Sequence, residues 1–147
     1  MSAAPRIIRL PDLPPGLEAL RAEAAAEGFR FIGRLAREWQ DRTNRFDGPG
    51  EALLGACEAG VLLAVCGLNR DPYAADAGTG RLRHLYVRPA ARRRGIASAL
   101  VGRLLGLAEG RFHTLRLRTE TEAAAAFYAR HGFRAVTAAD ATHARAL

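Results

Sequence analysis

The sequence predicts an α/β fold built on one mixed sheet with helices on both faces. Three observations carry this. Apolar runs of strand length alternate with amphipathic helical segments along the chain. The dipeptide Ala59-Gly60 separates two apolar runs, as in a hairpin. The stretch Leu82–Val101 passes from strand through an arginine-rich loop to helix, and another strand follows, which is the pattern of a parallel crossover.

The elements follow in order. Arg6-Ile7-Ile8-Arg9-Leu10 reads as a first strand, ended by Pro11 and Pro14-Pro15. Residues 17–27, rich in Ala and Glu, form a helix closed by Gly28. From Phe29 to about Arg42, the residues Phe29, Ile32, Leu35, Ala36 and Trp39 recur at helical spacing. A loop over 44–50 carries the turn signal Asp47-Gly48-Pro49-Gly50. Residues 51–58 and 61–68 form the hairpin, and 71–80 is a polar connection. Residues 82–87 form a strand. Helix 96–108 has one apolar stripe of Ile96, Leu100, Val101, Leu104, Leu105 and Ala108. Residues 114–118 alternate as a strand does. Thr119 and Glu122 have capping-box spacing before a helix over 123–130, with Gly132 closing it. Strands over 133–137 and 142–147 complete the chain.

The 147 residues suit a single domain, 1–147, with one substantial core. Hydrophobic residues make up 49% and charged residues 25%, a balance that folds. No apolar run approaches the roughly 20 residues of a membrane span, and Met1–Arg6 contains no signal-peptide core. The expectation is a cytoplasmic protein without a membrane partner. The net charge is +7, and every basic residue other than histidine is arginine. A GC-rich genome accounts for much of that bias, and a positive surface suits an anionic ligand. Neither zinc-finger spacing nor an RNA-recognition aromatic motif is present, so nucleic acid is not an expected partner. If Ala59-Gly60 turns the hairpin, Cys57 faces Leu62 and Cys66 faces Leu53, out of register for a disulfide. Two cysteines alone cannot make a structural zinc site, and no metal is expected.

The loop Arg92-Arg93-Arg94-Gly95-Ile96-Ala97 opens a helix directly after a strand. The first turn of a helix offers backbone N–H groups without intrahelical partners, and its dipole adds positive potential. A phosphate-bearing ligand suits such a cradle. Gly95 permits close backbone approach. The motif Arg92-x-x-Gly95-x-Ala97 after Val87, together with Ala124-Ala125-Ala126-Phe127-Tyr128 and then Gly132-Phe133, resembles the Gcn5-related N-acetyltransferase (GNAT) superfamily. The resemblance is strong from Leu82 to Phe133 and weak before Glu51.

That resemblance implies a mixed, mostly antiparallel sheet of about six or seven strands flanked by about four helices. It implies acetyl-CoA as donor, with coenzyme A held by Arg92, Arg93, Arg94, Gly95, Ile96, Ala97 and Ser98. Backbone groups of Leu85, Tyr86 and Val87 would pair with the pantetheine arm as an added strand, and an N–H near Val87 would polarise the thioester carbonyl. Tyr128 matches the family tyrosine that protonates the departing thiolate; packed beside Phe127, it also reads as a core residue. Thr121 stands where the family often has an asparagine on the cofactor, and a helix cap is its other role. Arg81 stands where many members carry a glutamate base. The base is therefore open among His84, His143, Glu51 and water. The acceptor, a small-molecule amine more readily than a protein, would enter near Trp39, Arg42 and Phe46, with Asn69–Tyr73 nearby; Trp39 reads equally as core. A non-catalytic acyl-CoA-binding module is the alternative, and a homodimer is compatible with the sequence.

Overall fold

The computed structural model describes residues 5–147. Met1–Ala4, part of the N-terminal stretch read above as lacking a signal-peptide core, lie outside the described residues. Seven strands form one sheet in the order β1-β2-β3-β4-β5-β7-β6. They are β1 (Arg6–Arg9), β2 (Ala52–Glu58), β3 (Val61–Arg70), β4 (Thr79–Val87), β5 (Thr114–Leu117), β6 (Arg134–Ala135) and β7 (His143–Ala146). The β4–β5 pair is parallel and the other neighbours are antiparallel. The helices are α1 (Leu17–Ala26), α2 (Phe31–Gln40), α3 (Ile96–Ala108) and α4 (Glu122–Arg130).

Strand alternation sends neighbouring side chains to opposite faces of the sheet. Leu53, Val65 and Tyr86 join the cluster under α1 and α2, with Leu20, Ile32 and Leu35. Leu54, Cys66, Leu82 and Leu115 join the cluster under α3 and α4, with Leu100, Leu104 and Tyr128. In α3, Ile96, Leu100, Val101, Leu104 and Ala108 are buried, and Leu105 packs half-buried against the same cluster. The apolar stripe expected from the sequence is thus the buried face.

The hairpin turns at Ala59 and Gly60, both at positive φ, +51° and +79°. This is the paired left-handed geometry of a two-residue loop, whose twist matches the strands it joins. A bulge beyond Cys57 adds one residue to β3, so Cys66 faces Leu54 rather than Leu53. Both cysteines are free. Burial pushes the Cys66 thiol up to about 12. The closing strand expected over 133–137 shrinks to Arg134–Ala135, and β4 begins three residues earlier than expected, where Thr79–Arg81 pair with Thr114–Arg116. The cap of α4 is Thr121, whose hydroxyl accepts the Ala124 N–H at 3.1 Å. Thr119, expected in that role, instead donates its N–H to Thr142 Oγ1 at 2.9 Å.

Leu104 is fully buried while Leu107, three residues on, is 44% exposed. Leu104→Ala is expected to cost about 2–5 kcal/mol. Leu107→Ala should stay within about 0.5 kcal/mol of the parent. Urea unfolding of the two variants checks the difference.

Candidate functional site

The site begins with one extra residue in β4. Val65 pairs with Tyr86 and Gly67 with Arg83, so Cys66 stands opposite both His84 and Leu85. This is a β-bulge, and it bends the strand that carries it. His84 takes the left-handed conformation there, with φ +61°, a region that costs a non-glycine residue some backbone strain. Before the bulge β4 pairs with β5. Beyond Arg81 that pairing ends, and the edge from Leu82 to Val87 faces a cleft of about 1250 Å³. The other walls are the Glu27–Phe31 segment, Ala97 at the start of α3, and Thr121, Ala124, Phe127 and Tyr128 of α4 and its cap.

The loop into α3 leaves its backbone donors free. The N–H groups of Ala91 and Arg92 bond to Arg88 O and Pro89 O, and the next such bond runs from Ala99 to Gly95 O. Between them, the N–H groups of residues 93–98 have no backbone acceptor among the described residues. Arg93 and Gly95 both turn left-handed, at φ +65° and +77°, a geometry that gathers successive N–H groups into an anion-binding concavity. Nothing lies within 4 Å of the space a Gly95 Cβ would fill. Its φ, rather than crowding, makes glycine fit there.

The three loop arginines divide. Arg92 binds the Glu27 carboxylate at 2.6 Å and donates through Nε to Val87 O at 3.0 Å. Arg94 pairs with Glu58 on the hairpin. Arg93 makes no ion pair among the described residues. Arg88 adds a further tie, to Glu23 at 2.6 Å. Glu23 and Glu27 lie one turn apart near the end of α1 and hold Arg88 and Arg92 in register. Tyr86 donates its hydroxyl to Glu27 Oε1 at 2.5 Å, and burial with that carboxylate raises the Tyr86 phenol above its ordinary value. Leu85, Tyr86 and Val87 line the cleft, although the Val87 carbonyl is already taken by Arg92. Ile96 is buried in the core, and Ser98 directs its hydroxyl toward His131 Nε2 at 3.2 Å.

Tyr128 is both core and cleft. Its ring meets Phe127 and Phe133 edge-on at 5.1 and 5.7 Å, and it borders the cleft. Desolvation holds its phenol well above the usual value of 10. His84 also borders the cleft, but its ring is buried between Phe31 and Phe46, at 6.4 and 6.0 Å. Neither ring nitrogen completes a hydrogen bond among the described residues, although the Phe31 backbone lies close enough to favour the protonated ring slightly. Burial, together with Arg83 and Arg34, lowers its pKa to about 3. Such an imidazole is neutral and a weak base, which argues against His84 as the proton acceptor.

The other expected positions lie elsewhere. His143 bonds Thr142 Oγ1 through Nδ1 at 2.9 Å and is not in the cleft wall. Glu51 accepts the Gly48 and Arg70 N–H groups at 2.9 and 2.8 Å, beside a separate shallow depression. Arg42 lines that depression too. Trp39 and Phe46 are core residues under α1 and α2. The Trp39 indole donates to Asp12 Oδ1 at 3.1 Å. Burial of their aromatic area outweighs any role at a surface.

The cleft has a second end that the sequence reading did not assemble. Arg34, Arg81, Arg83, Tyr73 and Asp140 line it. Arg81 reaches Asp71 at 3.3 Å and donates to Asp140 O at 2.7 Å. Asp71, fully buried, also binds Arg116 Nε at 3.1 Å. The available signal was Arg81-x-Arg83 on an otherwise apolar strand, which places two cations on one face.

Comparison with known proteins follows the same pattern. The sequence matches the acetyltransferase (GNAT) family over residues 17–133. A protein from Exiguobacterium sp. 255-15 assigned as an acetyltransferase is 31% identical, with a TM-score of 0.87 over 98% of this chain and 94% of that one. The fold is shared with YhbS of Escherichia coli, a GNAT family N-acetyltransferase solved in complex with CoA (17% identity, TM-score 0.72, 99% of this chain and 83% of that one). It is also shared with a ribosomal-protein-alanine N-acetyltransferase from Brucella melitensis (18% identity, TM-score 0.71, 97% and 99%). No functionally curated protein matches the sequence. With the family match over most of its length and a 31% identical structure of the same fold, the chain belongs to the GNAT acetyltransferase family.

Proposed function

We propose that this protein is an acetyl-CoA-dependent N-acetyltransferase that acetylates a primary amine on a small molecule. One observation carries the reading. The unpaired edge Leu82–Val87 and the side chain of Tyr128 line one cleft, and the loop with free N–H groups begins where that strand ends. The donor would supply an activated thioester. Its diphosphate suits the N–H groups of residues 93–98, which have no backbone acceptor, with Arg93 as the cation free to join them. Thr121, at the cleft wall, keeps its hydroxyl proton available while its oxygen caps α4. An amide-bearing arm fits the β4 edge as a further strand, and N–H groups on that edge stabilise negative charge developing on the carbonyl oxygen.

In this reading Tyr128 holds a proton for the departing thiolate. A buried phenol with a raised pKa stays protonated until a strong base arrives, and a thiolate leaving in a desolvated site is one. The acceptor proton passes to water in the open cleft, and water returns a proton to the Tyr128 phenolate. The acidic groups lining the cleft are Glu27, bound by Arg92 and Tyr86, Asp140, paired with Arg116, and the exposed Glu120, 3.6 Å from Arg118.

Tyr128→Phe is expected to lower kcat by about a hundredfold and leave the KM for acetyl-CoA unchanged, read by thiol release. Because the phenol is held above its usual 10, the parent rate should rise with pH as the acceptor amine deprotonates and show no fall before about pH 10. An alkaline fall below that point, lost in Tyr128→Phe, would contradict the raised pKa, and an unchanged kcat in Tyr128→Phe would contradict the proton-donor assignment. Arg93→Ala should weaken coenzyme A binding about tenfold and leave pantetheine, which lacks the diphosphate, unaffected; calorimetry with both compounds checks this.

A further inference from the structure

The acceptor end of the cleft is short of negative charge. Arg34, Arg81 and Arg83 line it, and Arg116 lies behind them on Asp71. Arg81 and Arg116 are balanced by Asp71 and Asp140. Arg34 and Arg83 share a single carboxylate, that of Glu38. Arg34 takes most of it, with Nε at 2.8 Å from Oε2. Arg83 lies 3.5 Å from Oε1, beyond a charge-assisted hydrogen bond. The Arg83 side chain is nevertheless only 10% exposed. Burial and the neighbouring Arg34 and Arg81 all press against its charge. A guanidinium carries five donors, and those of Arg83 make no hydrogen bond among the described residues and open onto the cleft, where a ligand can reach them. Arg83 also lines the cleft, on the same strand as the free edge and two residues before Leu85.

Tyr73, 48% exposed, stands at the rim of this corner. Arg81 stacks over its ring at 5.0 Å, and Arg34 Nη2 approaches its hydroxyl at 3.5 Å. The unmatched charge in this corner is one, which suits a carboxylate rather than a phosphate dianion.

We infer that the acceptor is a small amino acid, a molecule with both an acetylatable amine and a carboxylate, and that its carboxylate docks on Arg83 beside Arg34 and Tyr73. The inference rests on the transferase reading above. A planar guanidinium recognises a carboxylate with two parallel hydrogen bonds, which fixes orientation as well as affinity. Docked there, the carboxylate leaves the amine to point along the β4 edge, toward the reacting carbonyl.

The test compares α-, β- and γ-amino acids with their amides, which keep the amine and lose the charge. Thiol release and calorimetric binding to the coenzyme A-loaded protein are read for each. At least one acid should be preferred over its amide by tenfold or more, and Arg83→Gln should raise its KM about ten- to a hundredfold without altering the KM for acetyl-CoA. Arg83→Lys should recover part of the loss. Unchanged coenzyme A binding by both variants shows that they fold. If amides or plain amines turn over as well as the acids, or if no acid binds, the carboxylate site is overturned and the transferase reading stands. Preference for O-phosphoethanolamine over every amino acid overturns it as well. If acids bind through Arg83 but no amine gives turnover, the transferase reading falls and the anion site remains.

Discussion

The single extra residue in β4 is the constraint on which the rest of the site depends. A sheet normally consumes both edges of an interior strand, because buried backbone groups must be paired. Here the bulge at His84 and Leu85 bends β4 after it has paired with β5 over only three residues. The remaining edge is left open toward a cleft rather than toward bulk solvent. The strain of a left-handed histidine is tolerated because its ring is packed between Phe31 and Phe46. The same burial lowers the pKa of the imidazole and favours its neutral form.

Electrostatics are organised around that opening in two regions. On one side, Glu23, Glu27 and Glu58 hold Arg88, Arg92 and Arg94. These pairs are partly exposed, and each contributes modestly. Their effect is positional: they tie the strand end and the loop to α1 and the hairpin, and so hold the free N–H groups in place. The charge offered to a ligand then comes from the backbone and from Arg93. On the other side, Asp71 is fully buried and anchors Arg81 and Arg116, while Arg83 is left with a weak share of Glu38. The Arg83 guanidinium lines the cleft with donors to spare. The arginine-rich composition thus divides into arginines tied firmly in ion pairs and two, Arg93 and Arg83, that are not.

Much of this was legible in the sequence, and the failures have physical causes. The α3 stripe, the Ala59-Gly60 turn and the β4–α3–β5 crossover follow from local periodicity and turn chemistry, which act over a few residues. The register of Cys66 was off by one because a bulge leaves the apolar pattern of the strand almost unchanged. Phe46 was placed near the acceptor although it lies in the core, and of the two readings of Trp39 the core one holds, since an aromatic on a helix or loop carries no sign of which face it presents. Thr121 took the cap from Thr119 because the helix began with Glu122 as its first residue.

The sequence by itself determined most of the elements, the family and the loop whose backbone N–H groups open α3. Those depend on contiguous residues: a loop opening a helix exposes its N–H groups whatever surrounds it. The tertiary structure alone decided which arginines are spent on ion pairs, that His143 and Glu51 sit away from the cleft, and that Arg34, Tyr73 and Arg83 meet at its acceptor end. Those outcomes depend on charges and rings brought together from distant parts of the chain. Coulombic pairing and burial act through space, and no local pattern in the sequence encodes them.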